Sequence, residues 1–191
     1  MPIAHKRPHT GNFGRRPALV PTAATASRYR HGQLITNNSF EAAVPWQGWQ
    51  RNKGVDLVFS PEYNVHSGLA AASLGELNPE AQLSQIINGV IPGRYYQLSF
   101  FLLSLYNGEN APIKVSLHFL DISQYPIGKP ALEVTIGASC LCASTYTGYL
   151  EFTRQPAPTN ARYAKLLIEM DAANYGQGAV LLDDLTLIAI K

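Results

Sequence analysis

The chain has 191 residues, of which 46% are hydrophobic and 15% are charged, with 15 glycines and 13 prolines. This length is that of one domain, and the composition excludes a fully disordered chain, a coiled coil and a collagen repeat. No apolar run approaches the ~18 residues of a membrane-spanning helix, so no membrane span is expected.

The N-terminal segment differs in charge from the remainder of the chain. Residues 1–33 contain six Lys and Arg residues and no acid, whereas residues 34–191 carry a formal charge of −4. Because the segment lacks the apolar core of a secretory signal, we predict synthesis in the cytoplasm without a signal peptide. Its prolines predict an extended arm that binds an acidic neighbour or, alternatively, stays a solvated tail; nucleic acid is not the expected partner. The arginines assigned to assembly are Arg7, Arg15, Arg16, Arg28 and Arg30.

From residue 34 onward, short apolar segments alternate with turns, and none has a convincing helical period. The predicted strands are 34–40, 55–60, 68–74, 81–90, 95–106, 113–122, 132–136, 146–153, 163–170 and 179–190. Asn107-Gly108 predicts a hairpin between the fifth and sixth of these strands. The regular spacing predicts an all-β domain over residues 34–191, a two-sheet antiparallel β-sandwich or jelly roll that follows the extended arm.

Alternation of apolar and polar residues predicts which side chains form the core. The predicted core includes Phe40, Leu83, Tyr96, Leu98, Phe100, Val115, Leu117, Phe119, Leu166, Ile168 and Leu182. The strand at 95–106 is apolar on its second face too, where it carries Phe101, Leu103 and Leu105. A strand of this kind needs a cover, which is another sheet, the arm or a partner subunit. We assign Phe101 and Leu103 to the assembly contact, where they are expected to face outward against a neighbouring subunit.

The two cysteines, Cys140 and Cys142, are separated by one residue. On a strand they project to the same face with Cα atoms ~6.5–7 Å apart, at or beyond the limit for a disulfide. The alternatives are a reduced pair, disulfides between subunits in an assembly, or a metal site that recruits further ligands.

Five short motifs in chain order carry a resemblance to a known family. They are Asn37-Asn38-Ser39-Phe40-Glu41 with Trp49, Ser67-Gly68 before an Ala-rich strand, Leu83-Ser84-Gln85-Ile86, Pro92-Gly93-Arg94-Tyr95-Tyr96-Gln97-Leu98-Ser99-Phe100, and Leu181-Leu182-Asp183-Asp184-Leu185. Together they resemble jelly-roll carbohydrate-binding modules and their galactose-binding-like relatives over residues 34–190. The domain is also similar to the N-terminal domains of collagen-like repeat proteins of spore-forming bacteria, although no Gly-X-Y tract follows it.

The resemblance implies two kinds of site. A structural calcium ion would lie between Glu41 and Asp183 or Asp184, since hard oxygen ligands suit calcium; the alternative is a solvated carboxylate cluster. A glycan would stack on surface aromatic rings beside polar groups. The candidate sugar-binding residues are Trp46, Tyr63, Gln97, Tyr106, His118, Tyr125 and Tyr149, whereas Trp49 matches a position in the family's core.

Catalysis is not expected from this sequence. It has no Gly-x-Ser-x-Gly elbow, phosphate-binding glycine loop or His-Glu-x-x-His motif. Asp183 and Asp184 are adjacent, so on a strand they face opposite sides and cannot form an acid–base pair. The favoured hypothesis is a structural subunit of a bacterial surface layer or fibre, such as one on spores, whose arm docks on a neighbouring copy. The alternative is a free-standing carbohydrate-binding module.

Overall fold

The computed structural model describes residues 32–76, 78–106, 110–171 and 178–190. They form two antiparallel five-stranded sheets, which confirms the predicted β-sandwich of the jelly-roll class. One 3-10 helix, Ala138–Cys140, is the helical element in these residues, and no described helix is long and apolar enough to cross a membrane. The five arginines assigned to the arm lie outside the described residues.

Ten strands build the two sheets. They are β1 (Gln50–Arg51), β2 (Val55–Phe59), β3 (Ala70–Leu74), β4 (Glu80–Ile87), β5 (Tyr95–Ser104), β6 (Ile113–Leu120), β7 (Leu132–Ile136), β8 (Thr147–Phe152), β9 (Tyr163–Asp171) and β10 (Val180–Ile190). The first sheet has the order β1-β4-β9-β6-β7, and the second has the order β2-β3-β10-β5-β8. Inward-facing side chains of both sheets pack into one core that contains every residue predicted for it, and Trp49 is buried there as well.

The predicted strand at 34–40 is wrong, because this segment turns instead of pairing. Asn37 and Phe40 have positive φ angles of 49° and 60°, and the Asn37 side chain accepts a hydrogen bond from the Ala42 N–H. Asparagine tolerates the left-handed region because its side chain bonds locally to the backbone. The segment meets β10 through an isolated bridge between Gln33 and Ile188 and through two further backbone hydrogen bonds, from the Leu34 N–H to the Leu187 carbonyl and from the Leu185 N–H to the Asn38 carbonyl.

The predicted hairpin between β5 and β6 is also wrong. β5 lies in the second sheet between β10 and β8, whereas β6 lies in the first sheet between β9 and β7. The connection between them therefore crosses from one sheet to the other. Buried Asn110 fixes this crossing, because its side chain bonds to Ser104 at the end of β5 and to the Ala179 N–H before β10.

The chain itself covers the second apolar face of β5. The loop between β2 and β3, residues 60–69, folds over this face, where Leu103 packs with Val58 and Leu181 and is 3% exposed. The Phe101 ring stacks on His66 with ring centroids 3.8 Å apart. The expectation that Phe101 and Leu103 face outward to meet a neighbouring subunit is therefore wrong.

Candidate functional site

The carboxylates predicted to hold calcium bind the loop at residues 60–69 instead. Asp183 in β10 is fully buried, and its Oδ2 accepts hydrogen bonds from the backbone N–H groups of His66 and Ser67, both at 3.1 Å. Its Oδ1 accepts a third bond from the Asp184 N–H at 2.7 Å. Asp183 therefore fixes the loop where it passes over the sheet.

Asp184 binds the same part of the loop, contrary to the expectation that the two aspartates face opposite sides. The pairing of β10 with β5 shifts register between Asp183 and Thr186, and Asp184 has a φ angle of 50°. Its Oδ2 lies 2.6 Å from His66 Nδ1, and its Oδ1 accepts a bond from the Ser67 hydroxyl at 2.8 Å. The irregularity thus directs both carboxylates to one place.

Glu41 holds the end of the loop. Its Oε1 accepts hydrogen bonds from the Leu69 and Ala70 N–H groups at 2.8 and 2.7 Å. Gly68 has a φ angle of 65°, and a Cβ atom there would lie 2.4 Å from the same oxygen. We call Glu41, Asp183 and Asp184 the carboxylate clamp, because together they hold the loop against the sheet.

Backbone N–H groups already occupy several oxygens of the carboxylate clamp, which disfavours a calcium ion there. Both oxygens of Asp183 and Oε1 of Glu41 face backbone N–H groups, which repel a cation. Within the part of the chain that the structure describes, no three His, Cys, Asp or Glu side chains gather as metal ligands. Calcium binding remains a prediction that a stability measurement can decide.

We expect the melting temperature of the wild type to be the same in calcium and in chelator, because N–H donors already occupy the clamp oxygens. The Glu41→Gln variant should melt at the same temperature as the wild type in both conditions, because glutamine retains an oxygen acceptor. Glu41→Ala removes this acceptor and should cost about 1–3 kcal/mol in both conditions. Thermal unfolding with calcium or with EDTA measures these effects. A wild type that loses stability in EDTA, together with a Glu41→Gln variant that does not, would restore the calcium site.

Aromatic and titratable groups surround the clamp. The Tyr146 ring lies edge-on to His66 at 5.1 Å, and its buried hydroxyl has no hydrogen-bond partner among the residues that the structure describes. Burial raises the pKa of Tyr146, and the charge of Asp183 raises it further. Burial also raises the pKa of Asp183 to about 7, while its backbone N–H donors oppose that change. The groups around the clamp are mostly engaged with one another, which indicates a structural role for them.

The structure does not bring the predicted sugar-binding residues together. Gln97 lies on β5 in the second sheet and His118 on β6 in the first, where burial lowers the pKa of the His118 imidazole. Trp46 packs edge-on against Phe40, and the Arg51 guanidinium lies 4.8 Å above its ring. These contacts leave Trp46 unsuited to serve as an open platform for a sugar.

The predicted tyrosines are also dispersed. Tyr149 on β8 stacks on Phe100 at 5.3 Å, and its hydroxyl donates to the Cys140 carbonyl at 2.7 Å. Tyr106 follows β5, and Tyr125, which is 71% exposed, lies between β6 and β7. Tyr63, another member of the predicted set, lines a cleft.

This cleft lies beside β2 and encloses about 180 Å³. Its lining consists of Asp56, Leu57, Val58, Phe59, Glu62, Tyr63 and Glu76. Phe59 is 52% exposed, and the charged groups of the lining are all carboxylates. The lining of the cleft therefore includes two aromatic residues and three carboxylates.

Hydrogen bonds fix the side chains on one wall of the cleft. The Tyr63 hydroxyl donates to Glu76 Oε1 at 2.6 Å, and the Ser73 hydroxyl donates to Glu76 Oε2 at 2.8 Å. The hydrogen bond to Glu76 raises the pKa of Tyr63, and burial raises it further. The Tyr63 and Ser73 hydroxyls together orient the Glu76 carboxylate.

Sequence reasoning missed the acidic and phenylalanine members of the cleft. Glu76 was assigned to a turn, yet β3 pairs antiparallel with β2 and brings its end beside the start of β2. A usable signal was Phe59-Ser60-Pro61-Glu62-Tyr63, where two aromatic residues flank a proline and an acid just after a strand. Such a loop carries rings at the surface instead of in the core.

The cysteines do not lie on a strand. Cys140 ends the 3-10 helix and is exposed, and Cys142 follows it; both are free thiols. Cys142 Sγ lies 3.2 Å from the Ser144 hydroxyl and 3.5 Å from that of Thr145. These hydrogen bonds lower the pKa of Cys142 to about 6. Disulfides between subunits remain a prediction.

Comparison with known sequences does not identify a family for this chain. No family model matches the chain. An uncharacterized protein of Treponema pallidum is 36% identical over 77 residues, which cover 39% of this chain and 52% of that protein. The match thus spans about half the length of this relative.

Comparison with solved structures defines the class of fold. TmCBM61, solved in complex with beta-1,4-galactotriose, superposes with a TM-score of 0.58 at 17% identity over 83% of this chain and 99% of the module. The CBM22-1 xylan-binding domain of Paenibacillus barcinonensis Xyn10C gives 0.57 at 16% identity, over 84% of this chain and 96% of that domain. A Stig cyclase from Fischerella superposes with a TM-score of 0.60 at 13% identity, over 83% of this chain and 97% of the cyclase. The chain therefore has the fold of carbohydrate-binding modules. A relationship to collagen-like spore proteins remains a prediction.

Proposed function

We propose that this chain is a non-catalytic carbohydrate-binding domain and that the cleft beside β2 holds a sugar ring. The observation that carries the proposal is the lining of the cleft, which includes Tyr63, the half-exposed residue Phe59 of the edge strand and three carboxylate residues.

Each part of the lining suits a pyranose. An aromatic face packs on the C–H groups of a sugar, while fixed polar groups bond its hydroxyls. The Glu76 carboxylate is held by Tyr63 and Ser73, so it is oriented before a ligand arrives. The volume is below the roughly 300–1,000 Å³ typical of sites for drug-sized ligands, so we expect one ring inside and the rest of a glycan outside.

The fold supports this proposal as a precedent. Two of the similar structures are carbohydrate-binding modules, one solved in complex with beta-1,4-galactotriose and one a xylan-binding domain. The fold alone does not decide function, since a cyclase has a similar fold. The proposal therefore depends on the cleft, and the fold makes sugar the first ligand class to test.

The assembly hypothesis that the sequence favoured loses one of its arguments, the outward-facing apolar face of β5. Phe101 and Leu103 are covered by the chain's own loop and present little surface to a docking arm. The charge of the arm still supports that hypothesis, and a truncation tests it. The truncated chain should begin at Gly32, because Gln33 bonds to Leu185 and Leu187 of β10.

We expect Phe59→Ala to weaken glycan binding at least about tenfold, which is about 1.4 kcal/mol. Isothermal titration with beta-1,4-galactotriose, xylohexaose and a panel of other oligosaccharides measures the affinity. Tyr125→Ala is the matched control, because it removes a highly exposed ring far from β2 in the sequence and outside the cleft. Equal affinity of Phe59→Ala and the wild type would contradict the cleft as the site.

A further inference from the structure

The four edge strands of the sandwich differ in how they are protected. An unprotected edge offers unpaired N–H and C=O groups to another strand, and proteins usually block such edges with charge, short length or a covering segment. β1 has only two residues. On β7, Glu133 pairs with Lys114 at 3.1 Å, and Arg154 bonds to the Ala131 and Glu133 carbonyls. These two edges are blocked.

The third edge is covered and the fourth is open. In β2, the Val55 carbonyl accepts a bond from the Arg51 guanidinium, and the Phe59 carbonyl accepts one from the Tyr63 N–H. β8 pairs with β5 on one side. Among the described residues, no backbone group bonds to its other side.

The side chains of β8 are exposed and apolar, as at a protein interface, whereas a protected edge strand carries charged residues or proline. Leu150 is 54% exposed and Phe152 is 49% exposed on the outer face of the strand. β8 contains no Lys, Arg or Pro, and its one charged residue, Glu151, is half-buried on the opposite face. The adjacent β5 adds the exposed ring of Tyr95. An exposed apolar edge of this kind marks a site of strand pairing.

We propose that β8 pairs antiparallel with β8 of a second copy of this chain, about a two-fold axis at Leu150. Pairing about a two-fold axis requires a surface that is complementary to itself, and this strand meets the requirement. Leu150 lies opposite the second copy's Leu150, and Phe152 lies opposite the second copy's Gly148. Tyr149 lies opposite the second copy's Glu151 on the other face.

The register follows from the sequence of the strand. Residues directly opposite in an antiparallel pair point to the same face, and Gly148, Leu150 and Phe152 share the outer face. A phenylalanine opposite an edge glycine covers the gap that the glycine leaves. An axis at Glu151 would place two carboxylates opposite each other, which is unfavourable. The axis at Leu150 is therefore preferred.

The dimer is independent of the proposed glycan cleft. β2 and β8 are the two opposite edges of the second sheet, so pairing through β8 leaves the cleft beside β2 open in both copies. A dimer with one cleft in each copy would bind a multivalent glycan more tightly than a single copy does, because binding at the first cleft raises the effective concentration of the glycan at the second. The dimer stands even if the cleft binds no sugar.

Sedimentation equilibrium on the full chain tests the proposal. We expect a mass twice the 20.9 kDa of the chain. Leu150→Lys places two positive charges at the axis and should weaken dimerisation at least tenfold, while circular dichroism shows an intact fold. An equimolar mixture of Leu150→Lys and Leu150→Glu should restore the dimer, because opposite charges then meet at the axis.

Ile122→Lys is the matched control, because Ile122 is 73% exposed between β6 and β7 and lies outside β8. This variant should dimerise as the wild type does. A monomeric wild type at every concentration would overturn the proposal, and so would a Leu150→Lys variant that dimerises normally. Failure of the two charged variants to recombine would place the contact elsewhere.

Discussion

Asp183→Ala should lower the free energy of unfolding by at least about 3 kcal/mol. The substitution removes the acceptor of three backbone N–H groups, those of His66, Ser67 and Asp184, at a fully buried position. A buried donor without a partner costs about 1–3 kcal/mol. Urea denaturation followed by tryptophan fluorescence measures the loss, since Trp49 lies in the core.

Asp184→Asn is the matched control for this prediction. The residue is next in the chain and holds the same loop, but its carboxylate bonds to side chains of His66 and Ser67 at a partly exposed place. Asparagine tolerates the positive φ angle of this position. We expect a loss of about 1 kcal/mol or less. Equal losses in the two variants would contradict the dominant role assigned to Asp183 in the clamp.

Gly54→Ala should destabilise the fold by about 3 kcal/mol or more, because the new atom has no room. A Cβ atom at Gly54 would lie 1.9 Å from the Glu80 carbonyl oxygen and 2.8 Å from the Ala81 Cα. Both are backbone atoms of the edge of β4, so no side chain can move aside. The chain must separate β2 from β4 to accept the substitution. Thermal unfolding measures the effect.

Gly137→Ala provides the comparison, because no heavy atom lies within 4 Å of a Cβ atom built there. We expect a change within about 0.5 kcal/mol, as for ordinary surface substitutions. A Gly54→Ala variant as stable as Gly137→Ala would show that β2 and β4 are not packed as closely as described.

Hydrophobic alternation was sufficient to predict the strands β2 to β10 and the core, although it also predicted a strand at 34–40 that is absent from the described residues and missed the two-residue β1. In β6, Val115, Leu117 and Phe119 alternate with polar residues, and each is buried as expected. Burial of one face is a local property of the strand, so the period of two reveals it. The sandwich class followed from the number and spacing of such strands.

The pairing of strands could not be predicted in the same way. Asn107-Gly108 is a common hairpin signal, but the buried side chain of Asn110 bonds to Ser104 and to Ala179, residues distant in the sequence. Such long-range contacts decide which sheet receives the next strand. Sequence spacing carries no information on them.

The site was the least predictable feature, because it depends on a loop that covers a sheet. The apolar second face of β5 correctly indicated that a cover was needed. Nothing in the sequence identified residues 60–69 as that cover, since Tyr63 and Val65 read as surface residues. Likewise, Glu41 and Asp183 were assigned to a metal because the resemblance specified residue types, whereas their partners are backbone N–H groups.

Mapping of amide chemical shifts during titration with an oligosaccharide tests the proposed glycan site most directly. The titration uses the isotopically labelled full chain and the tightest binder of the panel, with beta-1,4-galactotriose and xylohexaose included. We predict that the changes concentrate at Asp56, Phe59 and Tyr63 around the cleft beside β2. Changes centred on His118 or Tyr125, or no binding by any member of the panel, would contradict the account.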